Sequence, residues 1–165
     1  MQRSARKFEE IYHDCFPDLY RFVLVNSRNY ADCEEIVQEA FFRLYLNINR
    51  VENPRAWLFR CANNLIVDGF RKTHRAAEPV GSVADASPSQ ELPVGRRETR
   101  EKLLAALDRL SETQRHCLTL REYGELSYRE IADVLGLSPE EVGVHIFRAR
   151  RRLQQLLEEI KDELS

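Results

Sequence analysis

Three clusters of side chains along this chain are spaced for binding rather than for catalysis. Asp32, Glu34, Glu35 and Glu39 stand together without an intervening base. Residues 55–75 carry five Arg or Lys against Asp68 alone, and Arg148, Arg150, Arg151 and Arg152 place four arginines in five positions. Charge runs are usually solvated faces. Two separate basic segments in a chain of net charge −2 nevertheless point to an extended anionic partner, held by local patches rather than by overall charge. No nucleophile with a neighbouring base, phosphate-binding glycine loop or metal-ligand spacing accompanies them, so the chain is read as a non-enzyme without cofactor or metal. Cys15, Cys33, Cys61 and Cys117 lie far apart and outside any zinc-type spacing, and each is read as a reduced thiol.

The elements that must position these clusters are helices. In LSYREIADVLGLSPEEVGVHIFRARRRL (Leu126 to Leu153), Ser127 and Glu130 stand three apart, so hydroxyl and carboxylate can each take the other residue's amide, a capping box that starts a helix at Tyr128. Ser138 and Glu141 repeat the pattern with Pro139 at the first helical position, where no N–H is needed. Gly136 can take the left-handed conformation that ends the first of these helices, leaving a three-residue turn. The result is the connection of a helix-turn-helix, with Ile131, Leu135, Leu137, Val142 and Ile146 packing the pair and Ala132 allowing close approach.

The rest of the chain follows helical periodicity. Phe8, Ile11, Tyr12, Cys15, Phe16, Leu19, Phe22 and Val23 form one stripe, with Pro17 expected to start or bend a segment. Ile36, Val37, Ala40, Phe41, Leu44 and Tyr45 form the next. Asn53 and Pro54 then cap and open a third helix whose buried face is Trp57, Leu58, Cys61, Leu65 and Phe70. From Thr73 to Arg97 prolines, glycines and serines replace large apolar residues, a composition suited to a tether. Such a stretch reaches on the order of 80 Å extended and about 30 Å as a random coil. Leu103, Leu104, Leu107 and Leu110 restore the helical period, and Ser111 with Gln114 supplies a further capping box. The expected fold class is all-α: two small helical domains, an N-terminal bundle (1–75) and a C-terminal helix-turn-helix domain (99–165), joined by a flexible linker (76–98). With 43% hydrophobic and 32% charged residues, no apolar run of membrane-spanning length and no signal-peptide core in MQRSARKFEEIY, the chain is expected to be cytoplasmic.

DCEEIVQEAFFRLY (Asp32 to Tyr45), NPRAWLFRCANNLIVDGFRK (Asn53 to Lys72) and the helix-turn-helix resemble, in order and spacing, the extracytoplasmic-function group of the sigma-70 family; FEEIYHDCFPDLYRF near the N-terminus also matches. The resemblance implies a bacterial transcription initiation factor that binds core RNA polymerase and directs it to promoter DNA through the minus-10 and minus-35 elements, with an anti-sigma factor as regulator. It implies that Asp32, Glu35, Gln38 and Glu39 face the polymerase, where carboxylates suit charge-assisted bonds to arginines. It assigns the minus-10 element to the loop Asn47 to Asn53, including Asn49, Arg50 and Asn53, and to the helix after it. There Asn63, Asn64 and Asp68 would bond bases or backbone, and Arg60, Arg71, Lys72 and Arg75 would neutralise phosphates. Trp57 could stack on a base, although its place in the apolar stripe favours packing, and Arg55 could equally serve the helix start. The minus-35 duplex falls to the second helix of the helix-turn-helix, with Ser138, Glu141, Val144, His145, Arg148, Arg151 and Arg152.

At that last site the chain departs from the family pattern. Members commonly carry something like Thr-Val-Lys-Ser-Arg-Leu where this sequence has Glu141, Val142, Gly143, Val144, His145 and Ile146. Val144 and Phe147 lie off the core stripe and could meet thymine methyls or a protein partner, while His145 becomes the main polar reader. The altered helix motivates a rival function, a sigma-like mimic that binds an anti-sigma factor or polymerase without reading DNA. A free-standing repressor would leave the acidic helix and the RAWLFRCANNLIVD run unexplained.

Overall fold

In a computed structural model the backbone is described for residues 2–27, 30–75 and 94–163, and side chains for the same residues except 30, 70–75 and 94–96. Among them the ordered elements are α1 (Gln2–Ser27), α2 (Tyr30–Asn47), α3 (Pro54–Arg75), α4 (Val94–Asp108), α5 (Glu112–Glu122), α6 (Tyr128–Leu135) and α7 (Pro139–Glu163), with no strand among the described residues. The all-α class read from the periodicity holds. Helix α1 runs through Pro17 as one span, so the proline does not divide it. Helix α4 begins at Val94, inside the stretch read as tether. No proline follows Pro93 in this segment, and the Arg- and Glu-rich residues that begin α4 are good helix formers.

The caps form largely as their spacing dictates. At both Ser111 and Ser127 the hydroxyl accepts from the third amide, and the Gln114 or Glu130 side chain accepts from the cap amide. Gly136 adopts φ 69° and ψ 35°, the left-handed stop of α6. At Ser138 the hydroxyl accepts from the Glu141 amide at 3.1 Å, whereas the return bond from Glu141 is not formed, which corrects the reading of a full box there. Asn53 caps α3, its Oδ1 accepting from the Ala56 amide at 3.2 Å.

Helices α1, α2 and α3 pack on one another, as do α5, α6 and α7, and the two groups are docked through α1 and α3 against α5 and α6. Leu19, Phe22, Leu44, Leu58 and Phe59 fill the first group; Ile131, Ala132, Val142, Ile146 and Ala149 fill the second. Buried residues of both belong to one contiguous apolar cluster. Phe22 and Phe59 are fully buried with ring centroids 5.3 Å apart, and His116 of α5 meets the Phe22 ring edge at 6.3 Å. Burying either phenyl ring contributes about 2 to 3 kcal/mol. A Cβ on Gly124, in the turn between α5 and α6, would stand 2.6 Å from the Leu120 carbonyl and 3.0 Å from the Phe59 ring. Only glycine lets that turn lie so close to α3.

Candidate nucleic-acid interface

The short connection between α2 and α3 forms the floor of a cleft of about 460 Å³. Asn47, Arg50, Val51, Glu52, Asn53, Ala56, Trp57 and Arg60 supply that floor, and Leu126, Glu130, Asp133 and Val134, of α6 and the turn before it, supply the roof. Arg50, Asn53 and Arg60 are exposed. Trp57 is half-buried, packed on the core by one part and lining the cleft by another, so its two readings are compatible. Asn53 spends its carbonyl oxygen on the α3 cap and donates its amide nitrogen to Glu130 Oε2 at 3.4 Å. Asn49, also exposed, accepts from the Ser4 hydroxyl at 3.2 Å.

Farther along α3, Asn64 and Asp68 are exposed, whereas Asn63 is 3% exposed. The Asn63 Oδ1 lies 2.7 Å from His116 Nδ1, which places the imidazole proton between them. In this docked arrangement Asn63 therefore faces α5 rather than solvent. Burial, with Arg115 beside it, pulls His116 from 6.5 down to about 4, so the ring is neutral at pH 7. Arg71, Lys72 and Arg75 have side chains outside the described residues.

On α2, Asp32, Glu35 and Glu39 follow one another at helical spacing, with Gln38 beside them. Glu35 and Gln38 are exposed, and Asp32 is half-buried. Glu39 is not free, because Arg43 Nε donates to its Oε1 at 2.8 Å. The pair is exposed on both sides and contributes under about 1 kcal/mol, little enough to exchange for a partner's cation. Burial pushes the Cys33 thiol up to about 12 and Cys117 to about 11, so neither is a thiolate at neutral pH.

The outer face of α7 presents Glu141, Val144, Phe147, Arg148 and Arg151, all exposed, with Ser138 and Arg152 half-buried. Val144 is 46% and Phe147 64% exposed, large values for apolar side chains on a helix whose other face is core. His145 turns away from this face: its Nδ1 is buried and has no hydrogen-bond partner among the described residues. The expected polar reader therefore has one ring nitrogen withdrawn. Arg150 is engaged by Glu122 at 2.7 Å, leaving Arg148 and Arg151 as the cations beside the apolar pair.

Reading the sequence alone missed a seam of polar residues between the two groups of helices. Asn26 donates to Thr119 at 3.1 Å and accepts from Arg115 Nε at 3.2 Å, with all three residues buried. Arg55 donates to the Tyr123 carbonyl at 2.9 Å and to Asp18 at 3.3 Å, so it ties the α5–α6 turn to α1. The available signal was the mixture of Cys117, Leu118 and Leu120 with polar residues in α5, and in the structure all of Arg115 to Leu120 are buried.

Comparison with known proteins assigns both groups of helices. The family model for sigma-70 region 2 matches residues 11–76, and that for sigma-70 region 4 matches residues 100–153. The extracytoplasmic-function (ECF) RNA polymerase sigma factor SigM of Bacillus subtilis is 31% identical over 157 residues, spanning 90% of this chain and 93% of its own length. The ECF sigma factor EcfG of Rhodopseudomonas palustris is 33% identical over 145 residues, spanning 86% and 80%. Among solved structures, the sigma factor RpoE in complex with the anti-sigma factor NepR, from Bartonella quintana, superposes with a TM-score of 0.75. It is 25% identical and covers 93% of this chain and 98% of that one. With relatives matched over nearly their full length and both family regions in order, the chain belongs to the extracytoplasmic-function group of the sigma-70 family of RNA polymerase sigma factors.

Proposed function

We propose that this chain binds core RNA polymerase through Asp32, Glu35, Gln38 and Glu39 and directs it to promoters read at two separate elements. The cleft floor and the exposed side of α3 take the minus-10 strand. Unpaired bases require polar edges and a stacking surface, which Asn53, Asn64, Asp68 and Trp57 provide, while Arg50 and Arg60 meet phosphates. The outer face of α7 takes the minus-35 duplex, with Val144 and Phe147 on thymine methyls and Arg148, Arg151 and Arg152 on the backbone. Functionally the chain divides into 1–75, the linker 76–98 and 99–165. The two elements lie on the order of 50 Å apart at 3.4 Å per base pair. The stretch between Arg75 and Val94 reaches about 60 Å when extended, enough for the two groups of helices to separate and engage both. An anti-sigma factor is the fitting regulator, by likeness to the solved complex, and no described helix is long and apolar enough to cross a membrane, in keeping with a cytoplasmic site of action.

The observation that carries this reading is the cleft at the α2–α3 connection, where two exposed arginines, a cap asparagine and a half-buried tryptophan converge. The test is transcription by purified chain plus core polymerase from the region upstream of its own gene. Promoter-specific transcripts are expected, and Asn64→Ala should lower promoter opening while leaving polymerase affinity nearly unchanged. Stable polymerase binding with no transcript on any genomic template would favour the mimic, whose support is the apolar face of α7.

A further inference from the structure

Where α1, α3 and α5 meet, the seam between the two groups of helices holds an imidazole. His116 of α5 is 4% exposed, lies edge-on to Phe22 of α1, and bonds through Nδ1 to Oδ1 of Asn63 on α3, itself 3% exposed. Neither the polymerase surface nor the promoter surfaces proposed above use this ring. We propose that His116 is an acid-operated latch: a proton taken up by the ring separates the two groups of helices, so that a fall in pH opens the chain without any partner. An opened chain presents both of its proposed DNA surfaces, and that consequence alone rests on the functional reading above.

Three observations carry it. The acceptor opposite the ring is an amide, not a carboxylate. Asn63 Oδ1 takes the Nδ1 proton of the neutral imidazole at 2.7 Å, so a second proton goes to Nε2 and brings a charge that no carboxylate among the described residues offsets. The neighbouring cation is also fixed in place, since Arg115, 4% exposed, gives its Nε to Asn26 Oδ1 at 3.2 Å across the same seam. The groups that meet the ring from other helices are uncharged. Helix α1 brings Phe22 and α3 brings Asn63, with Phe59 packed behind at 5.3 Å from Phe22. Helices α6 and α7, which also pack on α5, bring no charge that acts on it, so Arg115 on its own helix is the one that does. Burial first, and Arg115 second, hold the docked ring at about 4 against its ordinary 6.5. Separation returns the ring to water. The preference of the neutral ring for the docked chain is therefore complete above pH 6.5 and is lost as the pH falls toward 4. Relative to pH 8, docking weakens about tenfold at pH 5.5 and about 80-fold at pH 4.5.

The test uses the full chain without polymerase. Radius of gyration by small-angle scattering, helix content by circular dichroism and the His116 ring signals by NMR are followed together as the pH falls from about 7.5 to about 4.5. Wild type should expand reversibly at constant helix content while the ring titrates below its ordinary 6.5. His116→Gln takes up no proton, its amide can still donate to Asn63, and it should stay compact throughout. Asn63→Asp sets a carboxylate against the ring, so the docked chain should welcome the proton and the expansion should vanish down to about pH 5. A side chain that only filled space would not reverse the response in this way. Expansion of His116→Gln equal to that of wild type, a ring titrating at 6.5 in a compact chain, a wild-type chain of constant size, or helix loss in step with expansion would each overturn the latch. Should His116→Gln fail to fold, Asn63→Asp decides alone, and expansion there equal to that of wild type overturns the latch. A holoenzyme that opens no promoter would instead overturn the functional reading and leave the latch standing.

Discussion

The floor of the α2–α3 cleft and the outer face of α7 are the two surfaces proposed to meet nucleic acid, and their chemistry differs. The floor is concave and mixed, with Arg50, Asn53 and Arg60 lining it beside Val51, Ala56 and Trp57. The α7 face is convex and largely apolar at its centre, with Val144 and Phe147 exposed and arginines only beside and beyond them. Each shape suits a different state of DNA. An unpaired strand shows base edges and faces that need donors, acceptors and a stacking plane, whereas the major groove of a duplex also shows thymine methyls that apolar side chains can read. On the proposed minus-35 role, the loss of polar readers from α7 would narrow what it recognises to features that apolar side chains can read. The same two surfaces also differ in availability, since α6 roofs the cleft while α7 stands open.

The largest way to break this comparison is to break the seam that makes one surface hidden and the other open. His116 is neutral in the docked chain, with its ordinary value of 6.5 brought down to about 4 by burial and by Arg115. Protonation then favours the undocked or unfolded chain. Its contribution is complete above pH 6.5 and is lost as the pH falls from there to about 4, a drop worth about 3 kcal/mol. Urea unfolding between pH 7 and 4 should show that loss, and His116→Gln should flatten it. An unchanged pH profile in His116→Gln would remove the histidine from the seam's energetics.

Next in size is the cleft itself. Arg50→Ala with Arg60→Ala should slow promoter opening by the holoenzyme about 30-fold, at about 1 kcal/mol per phosphate contact, as followed by permanganate reactivity of unpaired thymines. Binding to a minus-35 duplex should not change. Equal loss at both elements would mean that the arginines act through the fold and that the two surfaces are not chemically independent.

These tests fall where the sequence was hardest to read, and the reason is distance along the chain. Ser127 with Glu130 and Ser111 with Gln114 are local devices whose partners lie three residues away, so residue type and spacing suffice to predict both bonds. The same logic overreached at Ser138, where the Glu141 amide bond forms but the return bond from its carboxylate does not. The cleft loop was legible because Asn53 and Pro54 start a helix visibly. Its roof was not, since Glu130 and Asp133 lie far along the chain from the loop they face, Glu130 being 77 residues from Asn53. Asn63 is the clearest case: an amide on α3 suits a base contact or a buried partner equally well, and the partner, His116, lies 53 residues away. His145 failed differently. Spacing put it next to the reading face, but a ring rotates about its own bonds, and its Nδ1 is turned into the protein.

A smaller effect would sharpen the contrast from the α7 side. If Val144 and Phe147 read methyl groups, replacing thymine by uracil in a selected minus-35 duplex should weaken holoenzyme binding about three- to tenfold, at about 1 kcal/mol for the lost contacts. Val144→Ser with Phe147→Ala should remove the difference between thymine and uracil while leaving opening of a premelted template intact. A wild-type protein indifferent to uracil would make this face a docking surface for protein instead.

The smallest effect concerns Gly143, which sits inside α7 between the core and the reading face. Glycine there costs a helix about 1 kcal/mol against alanine, and nothing in the fold demands it. A Cβ would meet the Tyr128 ring at 3.5 Å, an ordinary van der Waals distance, and φ at this position is not in the left-handed region. Gly143→Ala should therefore raise the unfolding free energy by about 0.5 to 1 kcal/mol. If the helix uses the missing side chain to bring its backbone close to the groove, the same substitution should weaken minus-35 binding severalfold while stabilising the protein, and opposite signs in the two measurements would locate the glycine's role in DNA contact. A variant that gains stability and binds the duplex as well as wild type would show that α7 approaches DNA through Val144, Phe147 and its arginines alone.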